Sequence, residues 1–206
     1  MTTNESTDLV LRAMRLAEFA HRNRSKGPHL RKAPAGRDRP PYFIHLAEVS
    51  WMLQDAGFDQ ETVAAAFLHD IIEDCDYTQE RLAQEIGSAR VAELVAWVSE
   101  TKQQPDGRKL SWEERSQGYL DRIRAAPPGA LALSCADKTA NVIDMCRHMQ
   151  VGHPVDTFTS RDHAAQLAKF EALAAAYARS VPEKLLSRFR QALERFRRLG
   201  GSATLA

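Results

Sequence analysis

The chain has 206 residues, 44% hydrophobic and 27% charged, a balance that fits one globular domain able to bury its own core and excludes a disordered chain. Its formal net charge of +1 argues against a non-specific nucleic-acid binder. The polar start MTTNESTDLV has no apolar leader and no apolar run has membrane-spanning length, so the expectation is a cytoplasmic protein with neither nucleic acid nor membrane as partner.

Apolar residues recur at helical spacing through most of the chain. The first helix is expected from Leu9 to about Ala20, with Ser6, Thr7 and Asp8 as candidate caps. Residues 22–41 follow as a loop, because Pro28, Pro34, Pro40 and Pro41 forbid a long helix. This loop carries Arg22, Arg24, Lys26, Arg31, Lys32, Arg37 and Arg39 against Asp38 alone, a local basic patch suited to a polyanion. The second helix is expected from His45 to Ala56, before Gly57, and a very apolar third one from Gln60 to Glu73.

Thr78 then caps a short helix, and Gly87 divides it from another that runs through Trp97. Residues 102–110 read as a second loop. Ser111 and Glu114 form a capping-box pattern at the start of a helix that reaches about Ala126, where Pro127-Pro128 intervene. A long helix is expected from Ala130 to Met149, then helices over 160–180 and 182–199. The whole reads as one all-α domain over 1–206, an irregular helical bundle with its core at about 8–180 and a disordered tail over 200–206. Cys75, Cys135 and Cys146 form no CxxC pair and read as reduced thiols.

Four positions carry the chemistry. His45, His69, Asp70 and Asp137 all fall on apolar helices, and a buried carboxylate is costly unless it is paired or holds a cation. Taken singly, each has a plainer reading: a hydrogen-bonded core histidine, or a solvated or capping aspartate. Together, two imidazoles and two carboxylates from three helices make a mixed N/O set for a first-row divalent ion in a bundle core. Glu73 and Asp74 lie three and four residues beyond Asp70, on its face of the helix. A role for them beside a metal and a solvated helix end are equal alternatives on spacing alone.

The segments PPYFIHLAEV, AAAFLHDIIEDCDYT and ADKTANV resemble, in order, the motifs of the HD-domain hydrolases of the RelA/SpoT family, most closely the small alarmone hydrolases. The resemblance spans about residues 10–180. It implies an HD-type helical fold and a divalent cofactor, usually Mn²⁺, held by His45, His69, Asp70 and Asp137. It implies that Glu73 and Asp74 orient or activate the attacking water. Arg31, Lys32, Tyr42 and Asn141 match substrate contacts, with Arg24 and Lys26 as an alternative basic pair. Lys102, Thr101 and Arg115, beside the second loop, are further candidates for phosphate. Leu46 stands where the motif has Pro, and Thr139-Ala140 precede Asn141; these departures are expected to line the nucleotide pocket.

The activity so implied is metal-dependent removal of the 3′-pyrophosphate from guanosine or adenosine alarmones, by attack of activated water on the phosphorus next to the ribose 3′ oxygen. An HD phosphatase acting on NADPH or a phosphate monoester is the alternative, and it would release orthophosphate. A non-catalytic nucleotide-binding module is a third reading, and it predicts a damaged metal set. Trp112 reads as a stacking or core residue, and His21 as a support for the site or a residue hydrogen-bonded to backbone. His148, His153 and His163 read as surface residues. Oligomeric state is left open.

Overall fold

The computed structural model describes residues 3–202, with side chains over 8–201. Helix α1, Thr3–Arg22, leads into the basic loop. Helix α2, Phe43–Asp55, is followed by α3, Gln60–Leu68, whose N-cap Asp59 accepts the Thr62 N–H at 2.8 Å. The short α4, Ile71–Asp74, precedes α5, Gln79–Ile86, and α6, Ala89–Val98. Thr78 and Ser88 cap the last two, and Gly87 between them adopts a left-handed φ of 74° that suits glycine. Helix α7, Trp112–Ala125, starts at the expected capping box of Ser111 and Glu114. Helices α8, Pro128–Gln150, α9, His163–Tyr177, and α10, Glu183–Ser202, complete the bundle. No strand is formed among the described residues; isolated bridges between Leu30 and Pro41 and between Gln103 and Lys109 pin the two long loops.

Several boundaries differ from the sequence reading: α1 begins at Thr3, so Ser6, Thr7 and Asp8 lie within the helix instead of capping it. The expected single helix over Gln60 to Glu73 is broken at His69-Asp70, where Asp70 leaves helical geometry with φ −102° and ψ 3°. The His69 Nδ1–H competes for the local backbone by donating to the Ala66 carbonyl at 2.7 Å. Pro128 does not merely end α7: it opens α8 at a first-turn position, where its missing N–H costs nothing. Helix α10 continues through Gly200 and Gly201 to Ser202, so the expected disordered tail is helical as far as that residue; 203–206 lie outside the described residues.

Helix α8 is central, packing against α2, α3, α6, α9 and α10, while α3 lies among α1, α2 and α6. Leu46, Leu53, Leu68, Ile71, Leu82, Leu133, Phe189 and Phe196 are fully buried, each contributing on the order of 1.5–3 kcal/mol through lost apolar exposure. This packing holds the carboxyl end of α3 and the middle of α8 side by side. All three cysteines are buried and free. Among the described residues, no helix is long and apolar enough to cross a membrane.

Candidate active site

The break after α3 and the polar face of α8 meet at one point. His45 from α2, His69 from the end of α3 and Asp137 from α8 are buried, and one ligand atom of each lies within 4.8 Å of the others. His45 Nε2 is 3.2 Å and His69 Nε2 is 3.6 Å from Asp137 Oδ1. Asp70 Oδ2 completes the group, 3.1 Å from His69 Nε2 and 4.0 Å from His45 Nε2. The helix break matters here: a continuous α-helix would place neighbouring side chains about 100° apart, whereas the turn lets His69 and Asp70 face the same point.

The group fits a divalent cation. Both ring nitrogens of His45 and Nε2 of His69 are buried without a hydrogen-bond partner, an arrangement that costs free energy unless a ligand supplies what the protein does not. The bond from His69 Nδ1–H to Ala66 fixes the tautomer that leaves Nε2 with a free lone pair. Two imidazoles and two carboxylates match first-row ions such as Mn²⁺, Fe²⁺ or Zn²⁺.

Further bonds orient the carboxylates. Tyr42 donates its phenol proton to Asp70 Oδ2, a contact that ties this residue of the basic loop to the cluster. Asn141 donates to Asp137 Oδ1 at 2.6 Å, and Lys138 to Oδ2 at 2.6 Å. Arg31 donates to Asn141 Oδ1 at 3.1 Å and to Asp144 Oδ2 at 2.9 Å.

Above the cluster lies a cavity of about 370 Å³. It is lined by Arg31, Lys32, Tyr42, Asp70, Glu73, Asp74, Lys102, Asp137 and Asn141. The structure therefore brings the motif residues and Lys102 to this one place, with His45 and His69 buried beside it. Glu73 accepts the Glu100 backbone N–H and lies 3.4 Å from Lys102 Nζ, which also donates to Asp74 Oδ1 at 3.3 Å. Burial, reinforced by the charge of Asp70, pushes the Glu73 carboxyl up to about 7.

Several sequence expectations are revised. Arg31 and Lys32, not Arg24 and Lys26, line the cavity. Leu46 points into the core, while Thr139 and Ala140 line a separate groove between α2, α8 and α10, so these departures do not shape the cavity. Thr101 is exposed and accepts from Arg122 at 3.3 Å. Trp112 lines the cavity wall. His163 is not a free surface residue: it stacks on Phe196 with ring centroids 4.3 Å apart and bonds that residue's carbonyl at 2.8 Å.

Residues that the motifs did not single out also reach the cavity. His29 stacks flat on Tyr42 with centroids 3.8 Å apart, and His21 stands behind both at 5.2 Å. Burial lowers both histidines to about 4, so this stack is neutral at ordinary pH. Asp144 could have been found as the residue one turn beyond Asn141 on the same face. Lys138, inside the DKxxN box, was visible in the motif itself. Glu100 and Lys169 carry no local signal.

The HD domain family model matches residues 13–152, and the chain belongs to the HD domain family. It is 36% identical over 108 residues to the guanosine-3′,5′-bis(diphosphate) 3′-pyrophosphohydrolase of Vibrio cholerae, a match covering 50% of this chain and 14% of that protein. The chain spans only 11–14% of the length of such bacterial relatives. It is 34% identical over 159 residues to the mouse guanosine-3′,5′-bis(diphosphate) 3′-pyrophosphohydrolase MESH1, covering 74% of this chain and 80% of that protein. The solved structure of a metazoan ortholog of SpoT superposes with a TM-score of 0.69 at 21% identity, over 94% of this chain and 96% of that one, which shows a shared fold.

Proposed function

We propose that the chain is a metal-dependent hydrolase that removes the 3′-pyrophosphate of a guanosine or adenosine alarmone, working as one HD domain over 1–206. The observation that carries this reading is the convergence of His45, His69, Asp70 and Asp137 beneath a cavity lined by both acids and cations. The names of the relatives support the guanosine form of this substrate.

In this reading His45, His69, Asp70 and Asp137 hold one divalent ion, with Mn²⁺ as the first candidate. When bound, such an ion neutralises phosphoryl oxygens and makes water more acidic. The protein supplies the rest. Glu73, with its carboxyl raised to about 7, takes a proton from the attacking water near neutral pH, and Asp74 helps to position that water. The water oxygen bonds to the phosphorus next to the ribose, the P–O3′ bond breaks, and the 3′ oxygen leaves as the nucleotide hydroxyl by taking a proton from solvent, to which Glu73 returns its own. Pyrophosphate is the second product. Tyr42 and Asn141 keep the carboxylates aimed, while Arg31, Lys32 and Lys102 face the phosphates.

The test is product analysis with guanosine and adenosine 3′,5′-bis(diphosphates). Pyrophosphate and the 5′-diphosphate are expected, with loss of turnover in Asp70→Asn and Glu73→Gln. Orthophosphate as the only phosphorus product, or full activity in either folded variant, would overturn the reading.

A further inference from the structure

Lys169 on α9 is a cation without an acid of its own. Its ammonium lies 3.9 Å from Glu100 Oε1, while Glu100 Oε2 already accepts from Arg115 Nη1 at 2.8 Å. Two positive charges therefore share one carboxylate, and the group carries a net positive charge. Three other cations around the cavity are better matched. Arg31 has Asp144, Lys138 has Asp137, and Lys102 has both Glu73 and Asp74.

Lys169 is also poorly hydrated, with its side chain only 16% exposed. Its Nζ lies 5.7 Å from the Trp112 ring centre and 5.9 Å from that of Tyr119, so two aromatic faces flank it. Burial, with the neighbouring charge of Lys138, lowers the ammonium to about 8. A buried cation with half an acid is costly, and an anion entering the cavity would offset that cost. The wall it occupies, built with Trp112, Arg115 and Tyr119 of α7, differs from the one formed by Arg31, Lys32 and Tyr42 of the basic loop.

We infer that Lys169, with Arg115, forms a second anion-binding pole of the cavity, which takes the 5′ phosphate chain of a nucleotide whose 3′ group lies at the histidine–aspartate cluster. This assignment rests on the proposed function and makes Lys169 a specificity determinant. The Arg31–Asn141–Asp137 chain places Arg31 of the basic loop next to the 3′ end. A bis(diphosphate) needs a further positive region for its other end, and the Lys169–Arg115 pair brings net positive charge to the cavity from α7 and α9.

The experiment compares kcat/KM for guanosine 3′,5′-bis(diphosphate) with that for guanosine 3′-diphosphate bearing a free 5′ hydroxyl. The metal-loaded wild type, Lys169→Met and Lys169→Arg are each assayed. The ratio of the two values is expected to fall about tenfold or more in Lys169→Met, the scale of one charge-assisted hydrogen bond, and to recover in Lys169→Arg. Calorimetry with guanosine 5′-diphosphate and with guanosine gives a readout independent of turnover: Lys169→Met should weaken the first preferentially. An unchanged ratio together with undiminished diphosphate binding would overturn the assignment, as would an equal loss on both substrates. If the wild type releases no pyrophosphate from either substrate, the proposed function fails, and the binding comparison still decides the role of Lys169.

Discussion

Arg31 of the basic loop donates to Asn141 Oδ1 at 3.1 Å although 110 residues separate them. Asn141 spends its amide on Asp137, so one side chain connects the loop to the metal cluster. Asn141→Ala should therefore damage two properties together, raising KM for the bis(diphosphate) and weakening metal binding. Arg31→Lys keeps the charge but loses the fork that reaches Asn141 and Asp144. We expect its KM to rise about tenfold, the scale of one charged hydrogen bond, with metal affinity little changed. Steady-state kinetics beside metal titration separate the two variants. Equal effects on metal binding would contradict the chain of contacts.

Tyr42 matches a substrate residue by its motif, and the structure gives it another task as well. Its hydroxyl bonds Asp70, and its ring lies on His29. Removing the hydroxyl in Tyr42→Phe preserves the stack and frees the carboxylate. Metal affinity should drop by about 10–100-fold, the usual cost of losing a partner that orients a ligand. A calorimetric metal titration reads this directly, and an unaltered affinity would leave the Tyr42 hydroxyl without a role at Asp70.

Glu73 is held at a cost to the fold. Its carboxyl titrates at about 7 in the folded chain against a usual 4.5, with burial as the main cause. A raised folded value means that stability present below pH 4.5 is lost as pH rises through 7. Glu73→Gln, which can still accept the Glu100 N–H, should stabilise the metal-free protein at pH 8 by on the order of 2–3 kcal/mol. At pH 4 the difference should vanish, while activity is lost at every pH. Thermal melts of both proteins across this range check the sign.

Lys169 obeys the opposite rule. Its folded value of about 8 lies below the usual 10.5, so stability present above pH 10.5 is lost as pH falls through 8. Lys169→Met should melt higher than wild type at pH 7, and the gain should shrink as pH rises toward 10.5. Coupled with reduced substrate discrimination, that gain would mark a residue kept for binding at the expense of the fold. A lower melting temperature at pH 7 would show instead that Lys169 supports the packing of α9.

The helices were legible because their periodicity and caps are local. Thr78, Gly87 and the Ser111–Glu114 box each mark a boundary within a few residues of where it falls. The break inside HDIIED was not legible, because apolar spacing continues through it while the His69 side chain bonds back to the Ala66 carbonyl there. Motif order made His45, His69, Asp70 and Asp137 visible together. Lys169 was not, since it sits on α9, across a loop from Asp137 on α8, and its relation to Glu100 exists only after α7, α8 and α9 pack. Thr139 and Ala140 show the converse error: adjacency to Asn141 in sequence suggested the cavity, but helical rotation turns them to the other side of α8.

The central claim is that two histidines and two aspartates hold one catalytic cation. Elemental analysis of purified wild type and His69→Ala, run beside pyrophosphate release before and after chelation, tests it most directly. About one divalent ion per wild-type chain is predicted, with activity lost on chelation and restored by added metal, and with neither metal nor activity retained in the folded His69→Ala variant. Full turnover after exhaustive chelation, or an undiminished metal content in the variant, would contradict the account.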